Sequence, residues 1–116
     1  MQGQLQELDE SLALNQVGGD LDLLKEVVEL FLDDYPGTIE KLRSAVASHD
    51  SKGVEHHAHS LKGSVTTFGA NHAFEAAYEL EKLGRIGDLT GSTGSLLRLE
   101  QALGALRPEL LTLLTR

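Results

Sequence analysis

Residues 55–64 read Glu55-His56-His57-Ala58-His59-Ser60-Leu61-Lys62-Gly63-Ser64, a stretch that holds three of the five histidines in the chain. A neutral imidazole is a nucleophile that works near neutral pH, so the first question is which of these rings faces outward. Val54, Ala58, Leu61, Val65 and Phe68 recur at the three-and-four spacing of one buried helix face. At about 100° per residue, His59 points roughly 140° away from the middle of that stripe. Glu55, His56, Lys62, Gly63 and Thr66 fall within about 60° of it on either side. His57 sits nearer the edge of the buried face, and His49 and His72 stand at helix boundaries as capping or surface residues.

Two neighbours of His59 ask for an explanation. Gly63 stands in mid-helix, at a cost of about 1 kcal/mol relative to alanine, on a face where the domain's own core cannot require it. The missing side chain clears space for something large to approach the ring. Lys62, three residues after His59, can swing its ammonium toward an anion held there, and Thr66 can add a hydroxyl donor. An exposed imidazole, a cation beside it and a cleared approach suit a nucleophile that accepts and releases a phosphoryl group. Two other readings compete. Glu55 with His59, and His56 with His59, could each chelate Zn²⁺ from one helix face. Against that, a bundle metal site draws ligands inward from several helices, whereas this face points out and carries Lys62. A plain helical interaction module accounts for the fold but leaves Gly63 and Lys62 without a purpose.

The elements that must position these residues are all helical. Residues 8–16 form a short amphipathic piece stopped by Gly18-Gly19, too short to be stable alone. Asp20 caps a long helix over 20–48, with Leu24, Val27, Val28, Phe31, Tyr35, Ile39, Leu42 and Val46 on one face. Because the stripe keeps register across Pro36, one kinked helix is expected, with a break at Tyr35 as the alternative. Asp50 or Ser51 caps the next helix, which Gly69 ends near Phe68. Asn71 caps a further helix reaching Leu83, with Gly84 as its stop. Residues 84–94 read as a Gly-rich loop. The last helix, from about Gly94, carries Leu96, Leu99, Leu103, Leu106, Leu110 and Leu113 as a bundle seam, and Pro108 should bend or restart it. The expected fold is an all-α, antiparallel four-helix bundle with a short additional N-terminal helix, one domain over residues 1–116 in which 1–7 act as a linker.

Composition narrows the function classes. Ten Lys and Arg against 18 Asp and Glu give a net charge of −8, and the bases are scattered, so nucleic acid is a poor partner. Aromatics are 4% and cysteine is absent, which removes disulfides and thiolate metal sites and fits a reducing compartment. With no apolar run of membrane-spanning length and no signal segment, the chain reads as soluble, cytoplasmic and without membrane contact.

The segment Ala58-His59-Ser60-Leu61-Lys62-Gly63-Ser64, followed by Phe68-Gly69-Ala70, closely resembles the H-x-L-K-G…G-A signature of histidine-containing phosphotransfer (HPt) domains. The likeness extends along most of the chain. Residues 19–31 are similar to the family's lead helix, Asp50 matches the acid opening the active helix, and Glu79-Leu80-Glu81 resembles the helix behind it. The resemblance implies His59 as phosphoacceptor, Lys62 as the phosphate-facing cation and Gly63 as docking space; Thr66, His56 and Glu55, which share that face by helix geometry, are the further docking candidates. It implies a phosphorelay carrier with no kinase activity of its own. Its expected partners are response-regulator receiver domains, which bring the Mg²⁺; the carrier itself needs no cofactor and no metal. A hybrid sensor histidine kinase is a further expected partner or parent chain.

Overall fold

The structure is a computed structural model that describes residues 6–116, and five helices occupy most of them. Helix α1 (Glu10–Gln16) opens where the Asp9 carboxylate accepts the Leu12 amide, and it ends at Gly18 and Gly19, both at positive φ. Helix α2 (Leu21–Ala47) is capped by Asp20 through the Leu23 amide and runs through Pro36 without a break. One continuous helix is therefore the outcome, because the buried stripe of Leu24, Val28, Phe31, Ile39, Leu42 and Val46 holds both halves to the same core. Helix α3 (Ser51–Thr66) starts at Asp50, whose side chain accepts the Gly53 amide, and buries Val54, Ala58, Leu61 and Val65.

Helix α4 (Asn71–Ile86) departs from expectation at both ends. Asn71 is its first residue and not its cap; Ala70 occupies the cap position and offers no side-chain acceptor. The acceptor comes from far away in sequence, since Glu7 Oε1 takes the Ala73 amide at 3.1 Å. At the other end the helix passes through Gly84 and stops only at Gly87, whose φ of 78° suits the left-handed cap. The loop expected over 84–94 shrinks accordingly, since α5 (Ser92–Leu114) begins early and also runs through Pro108 without restarting.

Sequence neighbours pack as spatial neighbours: α3 lies between α2 and α4, α4 between α3 and α5, and α2 meets α5 to close the bundle. Leu99, Leu103, Leu106, Leu110 and Leu113 of α5 all enter the shared core, as their spacing requires. The fold is thus the all-helical bundle that the periodicity implied, with α1 as the extra short helix. The linker reading of residues 1–7 is corrected at its end. Glu7 is buried, its side chain binds Ala73 and His72, and its own amide and that of Leu8 donate to Glu109 Oε1. An unpatterned stretch of sequence concealed a strap, because tertiary hydrogen bonds leave no periodic trace. Residues 1–5 lie outside the described residues. His72 is an exposed residue near the start of α4, as expected, and its ring pairs with the buried Glu7 of the strap.

Candidate functional site

His59 projects from the outer face of α3 with 67% of its side chain exposed, as the helix geometry required. Its ring is nevertheless held. Nδ1 lies 2.7 Å from Oε2 of Glu81, a residue of α4 whose side chain is only 4% exposed. An ionised carboxylate can only accept, so the contact assigns the proton to Nδ1 and leaves Nε2 with the lone pair. The imidazole is thereby presented with one nitrogen tied down and the nucleophilic one available.

Glu81 gathers the rest of the site. Lys62 Nζ stands 2.7 Å from Oε1, a close ion pair whose angle falls outside hydrogen-bond geometry. An ammonium turns freely, and at that separation we read it as a charge-assisted contact and not as an orphaned oxygen. Arg85, one turn further along α4, reaches Oε2 at 3.0 Å and also Glu55 Oε2 at 3.2 Å. Burial by itself would push the Glu81 carboxyl up, but contact with Lys62 and then with His59 holds it below the ordinary carboxylate value. The carboxylate is covered by these side chains more than by depth in the core. Lys62 itself is only 22% exposed, because its stem lies against α4 with Nζ 5.0 Å from the centre of the Tyr78 ring.

The remaining candidates separate. A side chain at Gly63 would meet nothing within 4 Å, so the space beside His59 is open. Glu55 and His56 line a shallow recess on one side of His59, together with Lys52, Glu81 and Arg85. A second recess, between α2 and α3, flanks the other side and is lined in part by Leu30, Phe31, Tyr35, Ser60 and Ser64. Thr66 departs from expectation. Its hydroxyl donates to the Lys62 carbonyl at 2.8 Å, so the donor is spent on its own helix. Lys62 likewise points at Glu81 and is not left free over the ring. Among the described residues, no three His, Asp or Glu side chains converge in a way that would hold a metal ion.

Glu81 and Arg85 are the residues that the sequence reading did not assign to the site. A signal existed. Ala73, Ala77, Leu80 and Gly84 form the buried stripe of α4, and Glu81 falls on it, four residues after Ala77. A carboxylate in an apolar stripe must find partners or be expelled, and here the partners are Lys62, His59 and Arg85.

The bundle, the outward histidine and the cation beside it define a helical phosphotransfer module. The sequence matches the family described as "Hpt domain" over residues 26–109. Since that match spans well over half of the chain, the protein belongs to the Hpt domain family, and it is a histidine phosphotransfer carrier of phosphorelay signalling. A crystal structure of histidine-containing phosphotransfer protein B (HptB) from Pseudomonas aeruginosa PAO1 is similar in fold. The TM-score is 0.84 at 23% identity, over 91% of this chain and 92% of that one. No curated protein matches the chain.

Proposed function

We propose that His59 is the phosphoacceptor, and the single observation behind this is the contact between His59 Nδ1 and the buried Glu81 carboxylate. Nε2 attacks the phosphorus of a receiver's aspartyl phosphate; the P–O bond to the aspartate breaks and the P–N bond forms. The aspartate leaves as a carboxylate, and the transfer runs back the same way to a second receiver. A ring that keeps its Nδ1 proton while gaining a phosphoryl group on Nε2 carries formal positive charge, which Glu81 offsets from behind. Lys62 meets the incoming phosphoryl oxygens by swinging from Glu81, a short move for a four-carbon stem.

Gly63 gives the receiver room to reach the ring, while Glu55, His56 and Thr66 edge the same outward face. The receiver supplies the Mg²⁺ in this reading, because Lys62 and Arg85 already neutralise the carboxylates beside His59. This reading makes the chain a cytoplasmic carrier without kinase activity, acting alone or within a hybrid sensor histidine kinase. Among the described residues no helix is long and apolar enough to cross a membrane.

The test is incubation with a receiver charged by acetyl phosphate. The chain should acquire an acid-labile, base-stable phosphate, and His59→Gln should abolish it while leaving helicity and melting nearly intact, since an exposed side chain adds little to stability. Labelling that survives in His59→Gln but disappears in His56→Gln or His57→Gln would move the site.

A further inference from the structure

Gly84 lies buried on the face of α4 that meets α3. A methyl group on it would stand 2.5 Å from the Glu55 amide nitrogen, 2.7 Å from the Ser51 carbonyl oxygen and 2.9 Å from Glu55 Cα. All of these are backbone atoms of α3, so no change of rotamer can make room. Other glycines inside helices differ. At Gly37, Gly63 and Gly104 an added Cβ would meet nothing within 4 Å, and at Gly53 the atoms in its way, from 2.5 Å, belong to the side chains of Asp50 and Ala45 and not to a backbone.

We propose that Gly84 is a positioning residue: its missing side chain sets the α3–α4 spacing at which Glu81 holds His59 by Nδ1 and keeps Nε2 as the attacking nitrogen. The consequence for transfer rests on His59 being the phosphoacceptor; the consequence for the tautomer does not. Glu81 precedes Gly84 by three residues and His59 follows Glu55 by four, so the two contacts lie one turn apart along the same antiparallel interface.

Magnitudes decide the outcome. Non-bonded carbon contacts settle at about 3.5 Å or beyond, so an alanine at position 84 must part the helices locally by about 1 Å. The His59–Glu81 hydrogen bond is 2.7 Å long. Stretched by about 1 Å it leaves the range in which such a bond exists. Lys62, on a long flexible stem, can follow the retreating carboxylate. The imidazole, attached through one methylene, cannot.

The experiment uses the whole 116-residue chain with ¹⁵N-labelled histidine, reading the ring nitrogens of His59, assigned by their loss in His59→Gln. The parent should show a protonated Nδ1 and an unprotonated Nε2. Gly84→Ala should shift His59 toward the tautomer mixture of a free imidazole and slow receiver-dependent transfer by about tenfold or more. Leu106→Ala, a core truncation on α5, should melt earlier yet keep the Nδ1–H signature. If Gly84→Ala retains the parent's tautomer and rate, the proposal is overturned. It is overturned equally if Leu106→Ala loses the signature too, because general loosening would then explain both. Should Gly84→Ala not fold, Glu81→Asp tests the same spacing with a carboxylate one methylene shorter. Loss of the Nδ1–H signature there is expected, and its retention would mean that the spacing is not tight. Labelling of His59→Gln by a charged receiver would remove the phosphoacceptor assignment and leave the tautomer result standing.

Discussion

At the scale of single residues, the division of labour around the imidazole is between a group that holds it and a group that meets the phosphate. In the proposed mechanism Lys62 is the second kind, and a well-placed charge-assisted contact contributes about 1.5–3 kcal/mol. Lys62→Ala should therefore slow transfer, or shorten the phosphohistidine lifetime, by roughly tenfold or more, as measured by single-turnover kinetics with a charged receiver. Rates equal to the parent's would make Lys62 only a partner of Glu81. Glu81→Gln keeps the shape and removes the charge that Lys62 and Arg85 face. The expected result is a lower melting temperature together with slower transfer, since both the cations and the reacting ring lose their counter-charge. Unchanged transfer in a folded Glu81→Gln would confine Glu81 to stability. Helix geometry made the outward placement of His59 legible, and the likeness of the His59–Gly63 segment to the HPt signature singled out His59 and Lys62 as site candidates. Glu81 was not assigned, since its partners His59 and Lys62 belong to a different helix, and the pairing of α3 with α4 is a tertiary fact.

At the scale of elements, α3 carries two different demands on its surface, and Gly63 separates them. Its added side chain would meet nothing within 4 Å, so Gly63→Ala should stabilise the isolated domain by roughly 0.5–1 kcal/mol in denaturant melts. A longer side chain there obstructs a docking partner, and an error of about 1 Å in placing two reacting groups can cost on the order of 100-fold in rate. Along the series Gly63, Gly63→Ala, Gly63→Gln, stability should rise or hold while receiver-dependent transfer falls. Phosphoramidate, which needs no docking, should label His59 throughout. A receiver that transfers to Gly63→Gln as fast as to the parent must approach from another side. Helix count, helix faces and the caps at Asp20 and Asp50 were readable because they depend on neighbours within one turn. The ends of α4 were not. Gly84 resembles a stop signal in sequence, yet it serves a close approach to the backbone at Ser51 and Glu55, and the N-terminal cap acceptor is Glu7.

At the scale of the whole molecule, acid should loosen the bundle in two stages. The His57 imidazole is lowered from its ordinary value, first by burial and then by His56 and Lys41, against a smaller opposing pull from Asp50. The unfolded chain therefore binds that proton more readily, and stability declines as pH falls from about 6.5 toward the lowered folded value. Glu81 acts lower on the scale. Its carboxyl is held below the ordinary range in the fold, so its contribution is complete above the unfolded value and is lost as pH falls through the folded one. Melting temperature followed against pH should show both declines, and His57→Gln should remove only the first. A profile identical in His57→Gln would assign the upper decline to another histidine.

The strap that joins Glu7 and Leu8 to Glu109, and Asp9 to the Phe68 carbonyl, also has a kinetic meaning. Most of the bundle is assembled from helices adjacent in the chain, a topology of low contact order in which early contacts close short loops. The strap closes loops of 101 and 102 residues at Glu109, second only to the 106-residue span of the Glu10–Arg116 pair among the described residues. Loop-closure entropy places such contacts after the local ones. The hairpin of α3 and α4, which carries His59 and Glu81, can thus form while the strap is still waiting for the last helix. Removing the acceptor of these two bonds by Glu109→Ala should accelerate unfolding and leave the folding rate nearly unchanged, the signature of an interaction made after the rate-limiting barrier.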